Sequence, residues 1–215
     1  MHIQPDLSIR TLIAGYSQGI FPMGDATGKI NWYEANPRGI LPLHSLHLPH
    51  DLKRVLRQGR FAVTLNHNFR RTMASCARTS EPTWITRAMI DAYSQLHNFG
   101  YAHSVESWYD GELAGGLYGV SIGGAFFGES MFFHHRDASK VALAHLWIWL
   151  TRCEFQLFDI QMVTDVLERF GAHNLTKEDY LKHLNSAVGL SRKLRASDID
   201  WREEFLRPEL GAKQE

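Results

Sequence analysis

Cysteine is scarce in this chain: Cys76 and Cys153 are the two among 215 residues. No ligand or redox motif surrounds either, so buried free thiols are expected rather than a disulfide. No run approaches the roughly 20 apolar residues that span a bilayer. The first residues lack the charged-then-apolar pattern of a secretory signal. The expectation is a cytoplasmic protein with no membrane contact. Charge of one sign is also missing, since 23 Lys and Arg balance 23 Asp and Glu. That argues against a uniformly basic coat but permits a local patch. Twelve histidines form no ligand motif. The pair His134-His135 would point to opposite faces of a strand with no third ligand at useful spacing, so no metal is expected.

What is present reads as a globular protein, 44% apolar and 21% charged. The length suits one well-packed domain with a smaller appendage. The informative stretch is VESWYDGELAGGLYGVSIGGAFFGESMFFHHRDASK, residues 105–140. Asp110-Gly111 and Gly123-Gly124 supply the positive φ angles of tight hairpins, which predicts antiparallel strands over 104–109, 112–121 and 125–132. Glu129 lies among large apolar residues of the third strand. A carboxylate there must be paired or near water, because burying it alone is costly.

Around this meander, 8–18 predicts a helix capped by Ser8 and ended by Gly19, and two short strands flank Asn36-Pro37. A helix over 48–57 closed by Gly59 and a strand over 61–65 follow. Asn66 can cap a helix to about Cys76, and a second helix covers 84–98. Asp137 and Ser139 are both good caps for a buried helix over 140–152. An apolar run at 155–160 fits a central strand. Thr164 can cap a short helix ending at Gly171, with a short strand at 173–175. Thr176 to Asp179 resembles a capping box before a helix over 180–187. Three units are expected: a small N-terminal domain 1–45, a catalytic domain 46–190 and a polar surface tail 191–215.

From Phe61 the order β-α-α-β-β-β-α-β-α-β resembles GCN5-type N-acyltransferases, an α+β fold, with a small N-terminal α/β appendage. Acetyl-CoA users of that fold hold the pyrophosphate on a glycine-rich turn at a helix N-terminus. Here that junction reads FFHHRDASK and has no glycine, so the acyl donor should be something other than CoA.

The segments GIFPM (19–23), NPR (36–38), TWIT (83–86), LAGGLYGVSIGGAFFGESMF (113–132), ASKVAL (138–143) and FDIQ (158–161) together resemble the leucyl/phenylalanyl-tRNA–protein transferase family. The resemblance implies transfer of Leu, Phe and less readily Met from aminoacyl-tRNA to proteins with N-terminal Arg or Lys, marking them for the N-degron pathway. The ester is already activated, so no cofactor is implied: neither metal, ATP nor CoA. A monomer is expected. The resemblance makes Asp159 an electrostatic anchor and Gln161 the hydrogen-bonding group at the attacking amine. As residues i and i+2 at a strand end, the two should share a side. Glu129 is implied to bind the ammonium of the donor or of the peptide.

The same resemblance implies an apolar amino-acid pocket of Leu117, Phe126, Leu143, Leu146, Leu150 and Phe158. It also implies adenosine stacking on Tyr33, Trp32 and Trp84. The chain departs from the family's usual text at NWYEANPR, FFHHR and MVTDVLERFGA. Independently of any resemblance, 51–71 holds Lys53, Arg54, Arg57, Arg60, Arg70 and Arg71 against Asp51 alone. That is a basic stripe suited to acceptor-stem phosphates. The rival readings are a non-catalytic module binding tRNA ends or N-degrons, and a transferase with a different acceptor.

Overall fold

A computed structural model describes residues 6–25, 27–45, 47–77 and 83–206. The chain is α+β. Helix α1 (Ile9–Ser17) is capped by Ser8, whose side chain accepts from Thr11 N–H. Strands β1 (Phe21–Gly24) and β2 (Ile30–Tyr33) pair as a separate antiparallel ribbon. Then come β3 (Arg38–Ile40), α2 (His50–Gln58), β4 (Ala62–Leu65), α3 (Phe69–Cys76) and α4 (Arg87–Asn98). The meander forms as expected: β5 (Ala102–Tyr109), β6 (Glu112–Ile122) and β7 (Ala125–Phe133). Helix α5 (Ala138–Arg152), β8 (Leu157–Gln161), α6 (Asp165–Glu168), β9 (His173–Leu175), α7 (Lys177–Val188) and α8 (Trp201–Glu204) complete the chain.

A seven-stranded mixed sheet runs β4-β5-β6-β7-β8-β3-β9. Only β7 and β8 pair in parallel; the other neighbours are antiparallel. Alternation along the strands sends neighbours to opposite sides. Leu117, Phe126 and Phe158 join α2, α5 and α8 in one core, while Tyr118, Phe127 and Leu157 join α1, α3, α4 and α7 in the other. Helix α5 lies across the sheet with eleven of its residues buried.

Five expectations need correction. Strand β3 belongs to the large sheet, between β8 and β9, so a boundary at residue 45 would cut that sheet. The polar tail is docked, because Trp201 is buried against α5 and Glu204 pairs with Arg152. Asn68, not Asn66, caps α3 by accepting from Arg71 N–H. Asp137 occupies the α5 cap position, but its carboxylate turns to Lys140. Helix α4 starts three residues late, at Arg87, with Thr86 as its cap, which leaves Trp84 outside the helix. No helix among the described residues is long and apolar enough to cross a membrane.

Candidate active site

Two β-bulges meet where β7 and β8 part. Between β6 and β7, Tyr118 opposes Ser130 and Gly119 opposes Gly128, leaving Glu129 as the extra residue. Between β3 and β8, Gly39 opposes Gln161 and Ile40 opposes Asp159, leaving Ile160 extra. A bulge bends its strand and re-aims a side chain. Pairing of β7 with β8 covers only Ala125–Phe127 against Leu157–Asp159. Beyond it the strands diverge, and a cavity of about 410 Å³ opens, a size suited to a small ligand. Gly39 is required at this junction, since a Cβ there would lie 2.9 Å from the Met162 and Val163 backbone.

Asp159 has no exposed surface and is held by three residues. Arg38 donates from Nε (3.0 Å to Oδ1, 3.1 Å to Oδ2) and from Nη2 (2.7 Å to Oδ2). Tyr180 donates its hydroxyl at 2.6 Å to Oδ2, and the Gln161 backbone N–H donates at 2.8 Å to Oδ1. Burial, then the Asp159 charge, pushes the Tyr180 hydroxyl well up, so it remains a donor. Asp159 and Gln161 are therefore linked, but through the Gln161 main chain. Gln161 has φ 56°, and Met162 N–H bonds back to Ile160 O at 2.6 Å, so the backbone turns sharply at this residue. Positive φ at a non-glycine residue is strained and persists only where its surroundings enforce it. The turn sends the side-chain amide toward Glu129, with Nε2 donating at 3.4 Å to Oε1.

Glu129 lies half-buried against the cavity and also accepts from the Tyr16 hydroxyl, which itself bonds the Tyr93 hydroxyl. Burial pushes the Glu129 carboxyl up to about 8; the Tyr16 bond pulls down, the Asp159 charge adds and Arg38 subtracts. Such a carboxyl holds its proton more tightly folded than unfolded. Its contribution to stability is complete below the ordinary value of 4.5 and is lost as pH rises toward about 8. Glu129→Gln, a mimic of the protonated form, should raise the thermal midpoint by several degrees at about pH 8 and little near pH 4.5. Calorimetry at both pH values checks this; equal shifts would contradict the buried-carboxyl account.

Of the expected pocket, Leu117, Leu143 and Phe158 line the cavity. Phe126, Leu146 and Leu150 have no exposed surface and belong to the core behind it, with Phe126 edge-on to Phe158. Met131, Ile160 and Leu167 complete the apolar wall. Met162 and Val166 also line the cavity while 61% and 37% exposed, which puts them at its mouth.

Trp84 reaches the cavity, tied in place by Gly24 N–H donating to Trp84 O at 2.9 Å. Trp32 packs on α1 instead: a Cβ on Gly15 would lie 2.3 Å from its ring. Tyr33 is 41% exposed and does not line the cavity. Alternation on β2 explains why the two rings part. Phe21 and Met23 of β1 stand in the cavity wall with Trp84.

The basic stripe divides. Helix α2, with Lys53, Arg54 and Arg57, buries its apolar side in one core, whereas α3, with Arg70 and Arg71, buries its own in the other. Arg70 pairs with Asp91 (2.7 Å) and Arg71 with Glu112 (3.9 Å). Lys53 and Arg57 lie over the Phe205 ring at 5.9 and 4.7 Å, and Arg60 lies over Phe61 at 6.0 Å. No metal-binding cluster occurs among the described residues; His135 stacks on Tyr109, and His134 meets Phe132 edge-on.

Arg38, Tyr180, Tyr16 and Tyr93 were not singled out from sequence. A signal existed for Arg38: a carboxylate on a central strand needs a cation, and NPR supplies one. The tyrosines carried none, since buried tyrosines on helices look like ordinary core.

Residues 40–185 match the family model described as leucyl/phenylalanyl-tRNA protein transferase, and residues 5–36 match that of its N-terminal domain. A leucyl/phenylalanyl-tRNA–protein transferase of Salinibacter ruber is 46% identical over 187 residues, covering 86% of this chain and 82% of its own. Transferases of the same name from Zymomonas mobilis and Herpetosiphon aurantiacus are 48% and 47% identical, covering 82% and 86% of this chain and 68% and 96% of theirs. A solved structure titled "The structure of L-PGS from Bacillus licheniformis" aligns at TM-score 0.45 and 8% identity, covering 85% of this chain and 71% of that one, too distant to bear on fold or function.

Proposed function

The chain belongs to the leucyl/phenylalanyl-tRNA protein transferase family, and from the site at the β7–β8 divergence we propose how it transfers Leu and Phe from aminoacyl-tRNA to protein N-termini. The observation that carries the reading is the placement of Gln161 and Glu129 together at the edge of an apolar cavity. The leucyl or phenylalanyl side chain enters the space bounded by Leu117, Leu143 and Phe158. Methionine enters less readily, and β-branched side chains fit badly, because methylene-scale fit is worth about 1–3 kcal/mol. Trp84 offers a face for the terminal adenosine.

The acceptor's amine attacks the ester carbon, and the C–O bond to the ribose breaks. The proton lost by the amine is the one that the leaving ribose oxygen requires. An α-amine titrates near 7.7–8.0, close to the value of about 8 for Glu129. Glu129 is therefore placed to hold the incoming ammonium and to take up its proton. Gln161 positions the amine with its amide, and Asp159 anchors Gln161. The acceptor carries N-terminal Arg or Lys, and the product enters the N-degron pathway. The enzyme acts as a cytoplasmic monomer, on a GCN5-type N-acyltransferase-like fold.

The deciding assay incubates the protein with labelled Leu-tRNA and peptides beginning with Arg, Lys or Ala. Label should pass to the Arg and Lys peptides alone. Equal transfer to Ala would overturn the acceptor assignment, and no transfer would favour a binding module.

The α2 residues are the proposed contacts to tRNA phosphates. Lys53→Ala with Arg57→Ala should weaken tRNA binding and reduce the slope of log K against log salt by roughly 1 per lost contact. An unchanged slope removes α2 from the interface.

A further inference from the structure

We propose that Arg38 is a positioning residue for transfer: its guanidinium orients Asp159 so that one carboxylate oxygen holds the Gln161 backbone in its turned conformation. The inference rests on the reading of Gln161 given above and adds a residue outside the reacting groups. Arg38 is 1% exposed on β3, one strand away from the cavity. Each of its three nitrogens donates. Nε and Nη2 take Asp159, while Nη1 donates to Gly19 O at 2.8 Å. The guanidinium plane is closed in by Phe21 at 5.1 Å and Tyr180 at 4.7 Å.

The division of labour on Asp159 is unequal. Oδ2 receives Arg38 Nη2 and Tyr180, both at 2.7 Å or less, while Oδ1 receives the Gln161 N–H and a longer bond from Arg38 Nε. A carboxylate pinned at Oδ2 cannot rotate Oδ1 away from Gln161. The N–H of Gln161 is thus held at a residue whose φ of 56° would otherwise relax. Relaxation would swing the side-chain amide away from Glu129. Lysine cannot substitute, since its ammonium is a point charge that cannot grip a carboxylate bidentately and reach Gly19 as well.

Arg38→Lys and Tyr180→Phe test this on the full chain. Expected for Arg38→Lys is a kcat lower by roughly 10²-fold, and for Tyr180→Phe by roughly 10-fold, with aminoacyl-tRNA affinity within about twofold of the parent. Amide hydrogen exchange supplies an activity-independent readout. The Gln161 amide should lose protection in both variants while Leu157 and Phe158 on the same strand keep theirs. If Arg38→Lys does not fold, Tyr180→Phe, which removes a single hydroxyl, decides alone. Unchanged kcat in the folded variants overturns the proposal, as does a loss of protection spread evenly along β8. Selective loss of Gln161 protection in a protein whose parent transfers no label would uphold the positioning role while refuting the transfer reading.

Discussion

Asp159→Ala should lower transfer by roughly 10³-fold and lower stability by about 3–5 kcal/mol. The stability loss arises because Arg38 would stay buried with its charge unmatched; the two side chains are 1% and 0% exposed. A buried ion pair adds little against an apolar pair of similar volume, yet breaking one side is costly. The double change Arg38→Met with Asp159→Leu should therefore regain much of the lost stability. It should not regain transfer, since nothing would then hold the Gln161 N–H. Chemical denaturation and a Leu-tRNA transfer assay on the three proteins separate these effects. Recovery of both together would mean that Asp159 acts only in folding.

Gln161→Ala should lower transfer by about 10²–10³-fold, the range found when one positioned donor is removed from a site where charge develops. Aminoacyl-tRNA affinity should hardly change, because Leu117, Leu143, Phe158 and Trp84, which line the cavity and are the proposed binding surfaces, are untouched. Stability should also hold, since the main-chain bond to Asp159 survives the substitution. Single-turnover rates measured beside equilibrium binding give the split. A mutant that binds weakly but reacts normally once bound would make Gln161 a binding residue. Together the two substitutions separate anchor from actor: one should unsettle the fold, the other should not.

Much of this arrangement was legible in the sequence because it depends on short-range rules. The glycine turns at Asp110-Gly111 and Gly123-Gly124 marked the hairpins, and the pairing beside each turn follows from them, although a bulge shifts the register further along both ladders. Thr176 was readable as a cap because its side chain meets Asp179 N–H three residues on. The stripe at 51–71 was countable, but its division between two faces was not. Which side of the sheet a helix covers depends on the crossing of the chain, not on its residues. Leu146 and Leu150 were indistinguishable in sequence from Leu143, since α5 is apolar all round. Its partners alone decide which leucine meets the cavity.

Composition, turn chemistry and the ordered motifs determined the α+β class and the family, and pointed to Glu129, Asp159 and Gln161 as site candidates. Tertiary structure decided how those three meet. The insertion of β3 beside β8 brings Arg38 to Asp159 across 121 positions of chain. The bulge at Glu129 turns a strand residue into the cavity wall. Neither event leaves a periodic trace, because each is set by long-range pairing and by the desolvation cost of leaving a buried charge alone.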